Sequence, residues 1–232
     1  MKSSNVRDKR GLWRKAFWPA CSIALAAALV TILATSTSTA KPFLPRPPKQ
    51  NFTRVLEAGN SNPMIAQGVA ISRQAKWYKA SGMGPAALNT GAPAGTPEAF
   101  IETTVFEGGE LPPGVTLTEA QGINALNQIM ASLAKQGLSL EQVVSMRVFL
   151  DNAPGTDRAD YDGWNRAYRQ FFANTDLETG QVIKVPLGTA EPREPLVENS
   201  ARPSRFALEV ASLPANGWLV EVEVDAIFPV KR

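Results

Sequence analysis

The sequence predicts an α+β domain in which two helices pack on one face of a mixed sheet. Two segments, 118–137 and 158–172, have apolar residues at helical spacing, and a strand-like run lies between them. Two more strand-like segments follow, at about 204–212 and 217–229. With two strand regions before the first helix, the element order is ββ-α-β-α-ββ, which is typical of this class.

Residues 1–40 have the features of a secretory signal peptide. A basic beginning is followed by an apolar run from about Ala20 to Ala34 and by a small-residue cleavage site at Ser38–Ala40. We therefore expect an exported protein, periplasmic or secreted, that begins near Lys41. The alternative is an uncleaved anchor helix, because the apolar run approaches the length that spans a bilayer. Only in that case would the protein contact a membrane.

Composition excludes several classes of site. Histidine is absent, and the single cysteine, Cys21, lies in the predicted signal peptide. The remaining chain can therefore form no disulfide, Ser-His-Asp triad, Cys-His pair or zinc site, and we predict neither metal nor cofactor. Six of the 24 basic residues and one of the 21 acidic residues lie in residues 1–40, so the rest carries a net charge of about −2. That charge does not suit a nucleic-acid partner.

The segments before the first helix predict an arm followed by strands. Residues 41–62 are Pro-rich at their start and indicate an extended arm or linker ahead of a domain at 63–232. Strand-like segments at 67–71 and 77–82 predict a hairpin.

Two long segments lack a regular pattern. Residues 84–114 are rich in Gly, Pro, Ala and Thr and predict an excursion with one short strand candidate at Phe100–Phe106. Residues 173–202 contain several prolines and no periodicity, and they predict a second long loop.

The two predicted helices differ in their ends and faces. In the first, Thr118 and Gln121 can form a capping box, and Gly137 can end the helix in the left-handed conformation. After it, Val143–Leu150 indicates a buried strand. The second helix has one aromatic face, which its periodicity explains as core: Tyr161, Trp164, Tyr168, Phe171 and Phe172.

Acidic residues alternate with apolar ones on the last predicted strand. Glu221, Glu223 and Asp225 share one face, with about 6.7 Å between neighbours. If that face is covered, a repulsion of about 2.5 kcal/mol for each neighbouring pair requires a cation, a raised carboxyl pKa or trapped water. If it is the outer face of an antiparallel sheet, solvent screens the repulsion. The pattern alone favours the outer face.

Arg205 begins the preceding predicted strand, which we expect to neighbour the last one through a connection at Leu213–Asn216. Its guanidinium can bind a carboxylate through two parallel hydrogen bonds. The alternative is a surface salt bridge to one of the acidic residues, which contributes little. In a domain without histidine or cysteine, an arginine beside carboxylates indicates recognition of a small carboxylate and handling of a water molecule.

An ordered series of motifs covers most of residues 63–229. It consists of Gln67-Gly68-Val69, Ser81-Gly82, the 118–137 helix, Val143–Leu150, Asp160-Tyr161 with Asn165, Tyr168 and Phe171-Phe172, Pro203-Ser204-Arg205, Glu209-Val210-Ala211, Leu213-Pro214 and Val222-Glu223-Val224-Asp225-Ala226-Ile227. This series resembles the signature of the Rid family of reactive-intermediate deaminases, also called the YjgF family. Insertions at about 84–114 and 173–202 interrupt the resemblance.

The resemblance implies a chorismate-mutase-like fold and a homotrimer whose sheets form a central barrel, with a cleft between subunits. Arg205 matches the arginine that binds the carboxylate of a 2-imino acid, and Glu223 matches the glutamate that places the hydrolytic water. Other pocket positions match Ser81, Gly82, Asn165 and Ala207. The implied reaction is hydrolysis of a small 2-imino acid or enamine to a 2-keto acid and ammonia. It requires neither a metal nor a covalent nucleophile.

The chain departs from the family pattern around this pocket. Ile65 and Ala66 stand where the deaminases have a tyrosine and a serine, and Ala207 stands where they have a cysteine. Ala207 can replace that cysteine if the family uses its backbone carbonyl. Because the insertion at 173–202 immediately precedes Arg205, we expect it to cover part of the cleft.

Three functions are compatible with the resemblance. The sequence favours an imine or enamine deaminase whose partner is a small carboxylate or imine substrate. A trimer that binds small carboxylates without turnover is the alternative. Ribonuclease activity is also attached to the family's name, but the net charge of about −2 and the lack of basic clusters argue against it.

Overall fold

The structure, a computed structural model, describes residues 51–230 of the chain. The strands are β1 (Phe52–Val55), β2 (Gly68–Ile71), β3 (Trp77–Lys79), β4 (Val143–Leu150), β5 (Ser204–Glu209) and β6 (Val220–Ile227), and the helices are α1 (Leu117–Ala134) and α2 (Tyr161–Arg169). Short 3-10 helices lie at Pro97–Phe100, Glu107–Gly109 and Leu140–Gln142. The predicted signal peptide and the start of the predicted arm lie outside the described residues.

A four-stranded mixed sheet with the order β3-β6-β4-β5 forms the centre of the domain. The pair β4–β5 is parallel, and the pairs β3–β6 and β4–β6 are antiparallel. β1 and β2 form a separate antiparallel pair. The α+β prediction, with two helices and a mixed sheet, is confirmed.

The core lies between this sheet and the two helices. Every second residue of β6 from Val220 to Ala226 is fully buried against residues of α1 and α2. Of the predicted aromatic face, Trp164 and Tyr168 of α2 and Phe171 and Phe172 just after it are at most 1% exposed, whereas Tyr161 is partly buried. Truncating such an aromatic residue to alanine costs about 3–5 kcal/mol, so this face holds α2 on the sheet.

The beginning of α1 differs from the predicted capping box. The N-cap is Thr116, whose hydroxyl accepts a hydrogen bond from the Glu119 N–H at 3.1 Å. Thr118 and Gln121 lie inside the helix, and the Gln121 amide instead bonds the backbone of other segments. At the other end, Gly137 has φ 69° and Leu138 N–H bonds Leu133 C=O, which confirms the predicted glycine stop.

Two predictions for the segments before α1 are wrong. β2 and β3 do not form a hairpin, because β2 pairs with β1 and β3 pairs with β6. The strand candidate Phe100–Phe106 is a succession of turns that follows a 3-10 helix. Its apolar residues Ile101 and Phe106 are each only 2% exposed. They anchor a loop in the core, which is why their pattern resembled that of a strand.

β5 and β6 are also not neighbours, contrary to the prediction. β4 lies between them and pairs with both. All its residues with inward-facing side chains are buried, and such a strand suits the middle of a sheet. The connection after β5 therefore crosses β4 before β6 begins, and Arg205 is separated from the acidic strand.

The insertion at 173–202 contains no helix or regular strand and is held by buried polar contacts. Arg202 is fully buried and donates hydrogen bonds to the backbone carbonyls of Pro63, Thr175 and Ser200. It therefore links the start and the end of the insertion to the segment before β2. Burial lowers the pKa of Arg202 to about 10, so the guanidinium remains charged at neutral pH.

Within the described residues, neither helix has the length and apolar character needed to cross a bilayer.

Candidate functional site

Arg205 lies near the start of β5 and faces α2. Its Nη2 donates to Asn165 Oδ1 at 2.8 Å and lies 3.6 Å from Met64 Sδ. Its guanidinium carbon is 4.3 Å from the centre of the Tyr168 ring. The predicted residues Arg205 and Asn165 are therefore in direct contact. We call the group Met64, Asn165, Tyr168 and Arg205 the arginine half-site.

The charge of Arg205 is not neutralised inside the described part of the chain. No carboxylate there forms an ion pair with it, and its buried Nη1 has no hydrogen-bond partner there. Burial lowers the pKa of Arg205, and the nearby charge of Arg169 acts in the same direction. Burial likewise raises the pKa of the Tyr168 hydroxyl, so Tyr168 supplies no negative charge. The half-site thus has a desolvated cation with an unused donor.

Ser81, Gly82, Glu221 and Glu223 form a second group, which we call the carboxylate half-site. Together with Lys79, Ala80 and Phe149, they line a cavity of about 550 Å³. The carboxylate of Glu221 lies directly over Gly82, and a methyl group at this position would overlap it, so the glutamate side chain would have to move. The structure therefore brings the predicted residues Ser81, Gly82 and Glu223 together.

Two cations relieve the repulsion among the carboxylates of β6. Lys79 contacts Glu223 and lies 3.6 Å from Asp225, and Arg147 lies 3.5 Å from Glu223 and 2.7 Å from Asp225. The bond to Asp225 raises the pKa of Arg147. Of the alternatives, cation pairing therefore applies, rather than screening by solvent alone. Within the described residues, no three acidic side chains are arranged to hold a metal ion.

The two half-sites lie on opposite faces of the sheet. Arg205 is level with Met146 of β4 and Val224 of β6, whereas Glu223 is level with Arg147 and Phe206. Residues that are level across paired strands point to the same face. Arg205 therefore shares the helix-covered face with Val224, and Glu223 lies on the other face, which we call the open face. Within one chain, the structure does not bring Arg205 and Glu223 together.

The residues that depart from the pattern of the resembled family, Ile65, Ala66 and Ala207, lie beside the arginine half-site. Ala66 is 2% exposed, and its N–H donates a hydrogen bond to the Pro203 carbonyl. The segment before β2 therefore lies beside the residue that precedes β5. Ile65 packs against the core. The backbone carbonyl oxygen of Met64 accepts a hydrogen bond from the Tyr168 hydroxyl, with 2.9 Å between the two oxygens. Ala207 faces the same side as Arg205 and is partly buried.

The insertion at 173–202 reaches this region. Pro186 and Met64, with Asp162, Asn165, Arg166 and Arg169 of α2, line a depression of about 370 Å³. Of these charges, Arg166 is paired with Glu119 at 2.8 Å. The insertion thus forms one wall beside Asn165, the partner of Arg205.

The sequence reasoning missed several features of the site: Met64, Lys79, Arg147, Phe149 and the contact of the Tyr168 ring with the Arg205 guanidinium. The sequence placed Lys79 and Arg147 within predicted strands, but it contains no information on which strand lies beside β6. Only the strand order brings these residues to the carboxylates.

Comparisons with known proteins agree with the motif series. The sequence model of the family described as Endoribonuclease L-PSP matches residues 101–228. No curated protein matches the chain. Solved structures similar to it include a YjgF-family member from Mycobacterium tuberculosis, with 20% identity over 76% of this chain and 99% of that chain and a TM-score of 0.37. TdcF from E. coli, solved with bound serine, has the same four values. YyfB of the Rid family, from Yersinia pestis, has 17% identity, 77% and 99% coverage, and a TM-score of 0.40.

Proposed function

The chain belongs to the Endoribonuclease L-PSP family, the YjgF or Rid family, and from this premise we propose that it hydrolyses small 2-imino acids or enamines to 2-keto acids and ammonia. The observation that carries the proposal is Arg205, a desolvated cation without a counter-ion in the described chain and with Nη1 unused. A substrate carboxylate supplies both the missing charge and the missing acceptor.

A complete site on this proposal requires a second copy of the chain. The sheet separates Arg205 from Glu223, so the substrate carboxylate would bind one subunit and the reacting carbon would face the carboxylate half-site of the next. The open face suits such assembly, because Trp77, Phe206 and Leu208 are each about half exposed there. The homotrimer implied by the family resemblance is therefore part of the proposal.

The reaction needs two chemical contributions from these groups, and neighbouring residues set the space for the substrate. Arg205, held by Asn165, binds and orients the substrate carboxylate. A glutamate of the carboxylate half-site, Glu223 according to the resemblance, positions the attacking water and transfers protons. The geometry around Ala207 and Ile65 then shapes the space for the substrate side chain. With the predicted signal peptide, the activity would operate after export.

The test generates 2-imino acids in place with an amino acid oxidase and traps them with semicarbazide. We expect the protein without residues 1–40 to lower semicarbazone formation. Arg205→Ala should lose about 100-fold to 1,000-fold in kcat/KM, because a charge-assisted carboxylate contact is lost. Glu191→Gln, a change at an exposed position away from both half-sites, is the matched control. Equal hydrolysis by wild type and Arg205→Ala would remove Arg205 from the proposal.

A trimer that binds small carboxylates without turnover is the second candidate. It is favoured by one observation, the contacts of Glu223 with Lys79 and Arg147, which occupy the glutamate assigned to water. Binding of a 2-keto acid that depends on Arg205, with no acceleration of imine hydrolysis over buffer, would select this candidate.

A further inference from the structure

The three carboxylates on the open face of β6 are not equivalent. Lys79 and Arg147 each contact both Glu223 and Asp225. Glu221 lies on the same face, but it has no ion pair and no side-chain hydrogen bond within residues 51–230. Its oxygen lone pairs are therefore available to another group, whereas those of Glu223 are engaged by cations.

The surroundings of Glu221 in the cavity also suit a catalytic carboxylate. Its carboxylate extends over Gly82, where a side chain of any size would displace it. Neither Ser81 nor Gly82 uses its backbone N–H in a hydrogen bond within the described chain, so two donors are available near the same carboxylate. On the other side, Phe149 and Leu208 lie level with Glu221 across the sheet. The cavity thus combines an unpaired carboxylate, two free donors and an apolar wall.

We infer that Glu221 is the catalytic residue that positions the water and accepts its proton, and that Glu223 is a positioning residue held by Lys79 and Arg147. The inference rests on the proposed imine hydrolysis. A general base needs a free lone pair within reach of the water proton, and among these carboxylates Glu221 meets that condition.

The step balances without a further reactant. Water oxygen bonds to the carbon of the protonated imine as the C=N π electrons move to nitrogen, and Glu221 takes the water proton. Glu221 then gives that proton to the amine nitrogen of the carbinolamine. The C–N bond breaks, ammonia leaves, the C=O bond forms, and the hydroxyl proton passes to Glu221. Release of this proton to solvent restores the carboxylate, and the free N–H groups of Ser81 and Gly82 can stabilise charge on the substrate oxygen.

The experiment compares Glu221→Gln with Glu223→Gln in two assays, semicarbazide-trapped imine hydrolysis and exchange of ¹⁸O from water into a 2-keto acid. The second assay reports the same activation of water on a carbonyl carbon. Each is measured as kcat against pH, because other charged groups lie around Glu221 on the open face: Lys79 from β3, Arg147 from β4, and Glu223 and Asp225 on β6. Thermal unfolding and sedimentation of each variant check folding and assembly, and Glu191→Gln is the control.

We expect Glu221→Gln to lower kcat about 100-fold to 1,000-fold and to remove the acidic limb of the pH profile. Glu221→Asp should restore part of the rate and the limb. Glu223→Gln should retain the limb and lose less than about tenfold in kcat, with a larger effect on stability. If the wild type is active but Glu221→Gln leaves kcat unchanged, or if only Glu223→Gln loses the acidic limb of the pH profile, the assignment of Glu221 is overturned. The proposed imine hydrolysis would stand in either case. A wild type that accelerates neither reaction would overturn the proposed function and the assignment with it.

Discussion

The two half-sites differ in whether their charged side chains have partners of opposite charge within the described chain. In the arginine half-site, Arg205 is desolvated, bonds a neutral amide and has no carboxylate partner in the described chain. In the carboxylate half-site, Glu223 forms ion pairs with Lys79 and Arg147, which also pair with the neighbouring Asp225. Because a buried, unpaired charge is costly, the first arrangement supports the proposed binding of a substrate carboxylate. In the second arrangement, the cations engage Glu223 and Asp225, and Glu221 has no ion pair within the described residues.

The support for each half-site also differs. In the arginine half-site, Arg205 lies on β5 and Asn165 and Tyr168 lie on α2. Its surroundings are irregular, because Met64 belongs to the chain before β2, which Arg202 joins to the insertion through buried hydrogen bonds. The carboxylate half-site rests on three paired strands. We therefore expect changes in the first to act through loop order and changes in the second to act through charge.

The sharpest test of this separation is subunit complementation. Arg205→Ala retains an intact carboxylate half-site, and the double variant Glu221→Gln/Glu223→Gln retains an intact arginine half-site. If the site forms between subunits, random mixing restores about one site in four. We expect activity of the co-refolded mixture to rise about 100-fold over either variant alone, measured by semicarbazide trapping. A mixture no more active than the sum of its parts would show that each chain acts by itself.

Removing one structural cation from each region should separate loop order from charge. Arg202→Met removes hydrogen bonds to three backbone carbonyls, partly offset by relief of a buried charge, and we expect a loss of about 2 kcal/mol. Lys79 is largely exposed, so Lys79→Met should cost less than about 1 kcal/mol. Urea unfolding measures both, and a larger cost for Lys79→Met would reverse the comparison.

Asn165 tests whether Arg205 must remain without a counter-ion. Asn165→Ala removes a hydrogen bond to a charged group, and we expect about a tenfold loss in kcat/KM. Asn165→Asp keeps an acceptor and adds a negative charge beside Arg205, which should weaken binding of a substrate carboxylate further. Titration of both variants with a 2-keto acid checks the order. Stronger binding by Asn165→Asp than by Asn165→Ala would contradict it.

The smallest expected effect concerns the attachment of the insertion at acid pH. The hydrogen bond from the Ser61 hydroxyl, aided by Thr179, lowers the pKa of Asp176 from 3.8 to about 2. As the pH falls from about 4 to 2, the unfolded chain binds this proton first, so the contribution present above about pH 4 is lost. Unfolding in urea across this range should show a weaker pH dependence in Ser61→Ala. An identical slope would exclude this contact from the acid response.

Much of the fold could be predicted because its signals are local. The helical periodicity of α1 and α2, the aromatic core face and the glycine stop at Gly137 depend on residues close in sequence, and the structure has them. The N-cap was misplaced by two residues, because Thr116 and Thr118 can both begin a helix and only the surrounding contacts select one.

Strand partners could not be predicted in the same way. Alternation places Glu221, Glu223 and Asp225 on one face of β6, but hydrogen-bond partners are chosen among all strands by how well the whole sheet covers the core. The hairpin of β2 with β3 and the pairing of β5 with β6 were therefore wrong. The positions of Lys79 and Arg147 beside the carboxylates follow from the same non-local choice.

The sequence by itself determined the residue types of the candidate site: an arginine and several carboxylates, in a domain without histidine and with its only cysteine in the predicted signal peptide. It also determined that Arg205 and Asn165 belong to one motif series, and the structure places them 2.8 Å apart. Only the tertiary structure decided that Arg205 and Glu223 lie on opposite faces, and which carboxylates the cations engage. The physical reason is that local periodicity sets the face of a side chain within its own strand, whereas the strand order sets what that face meets.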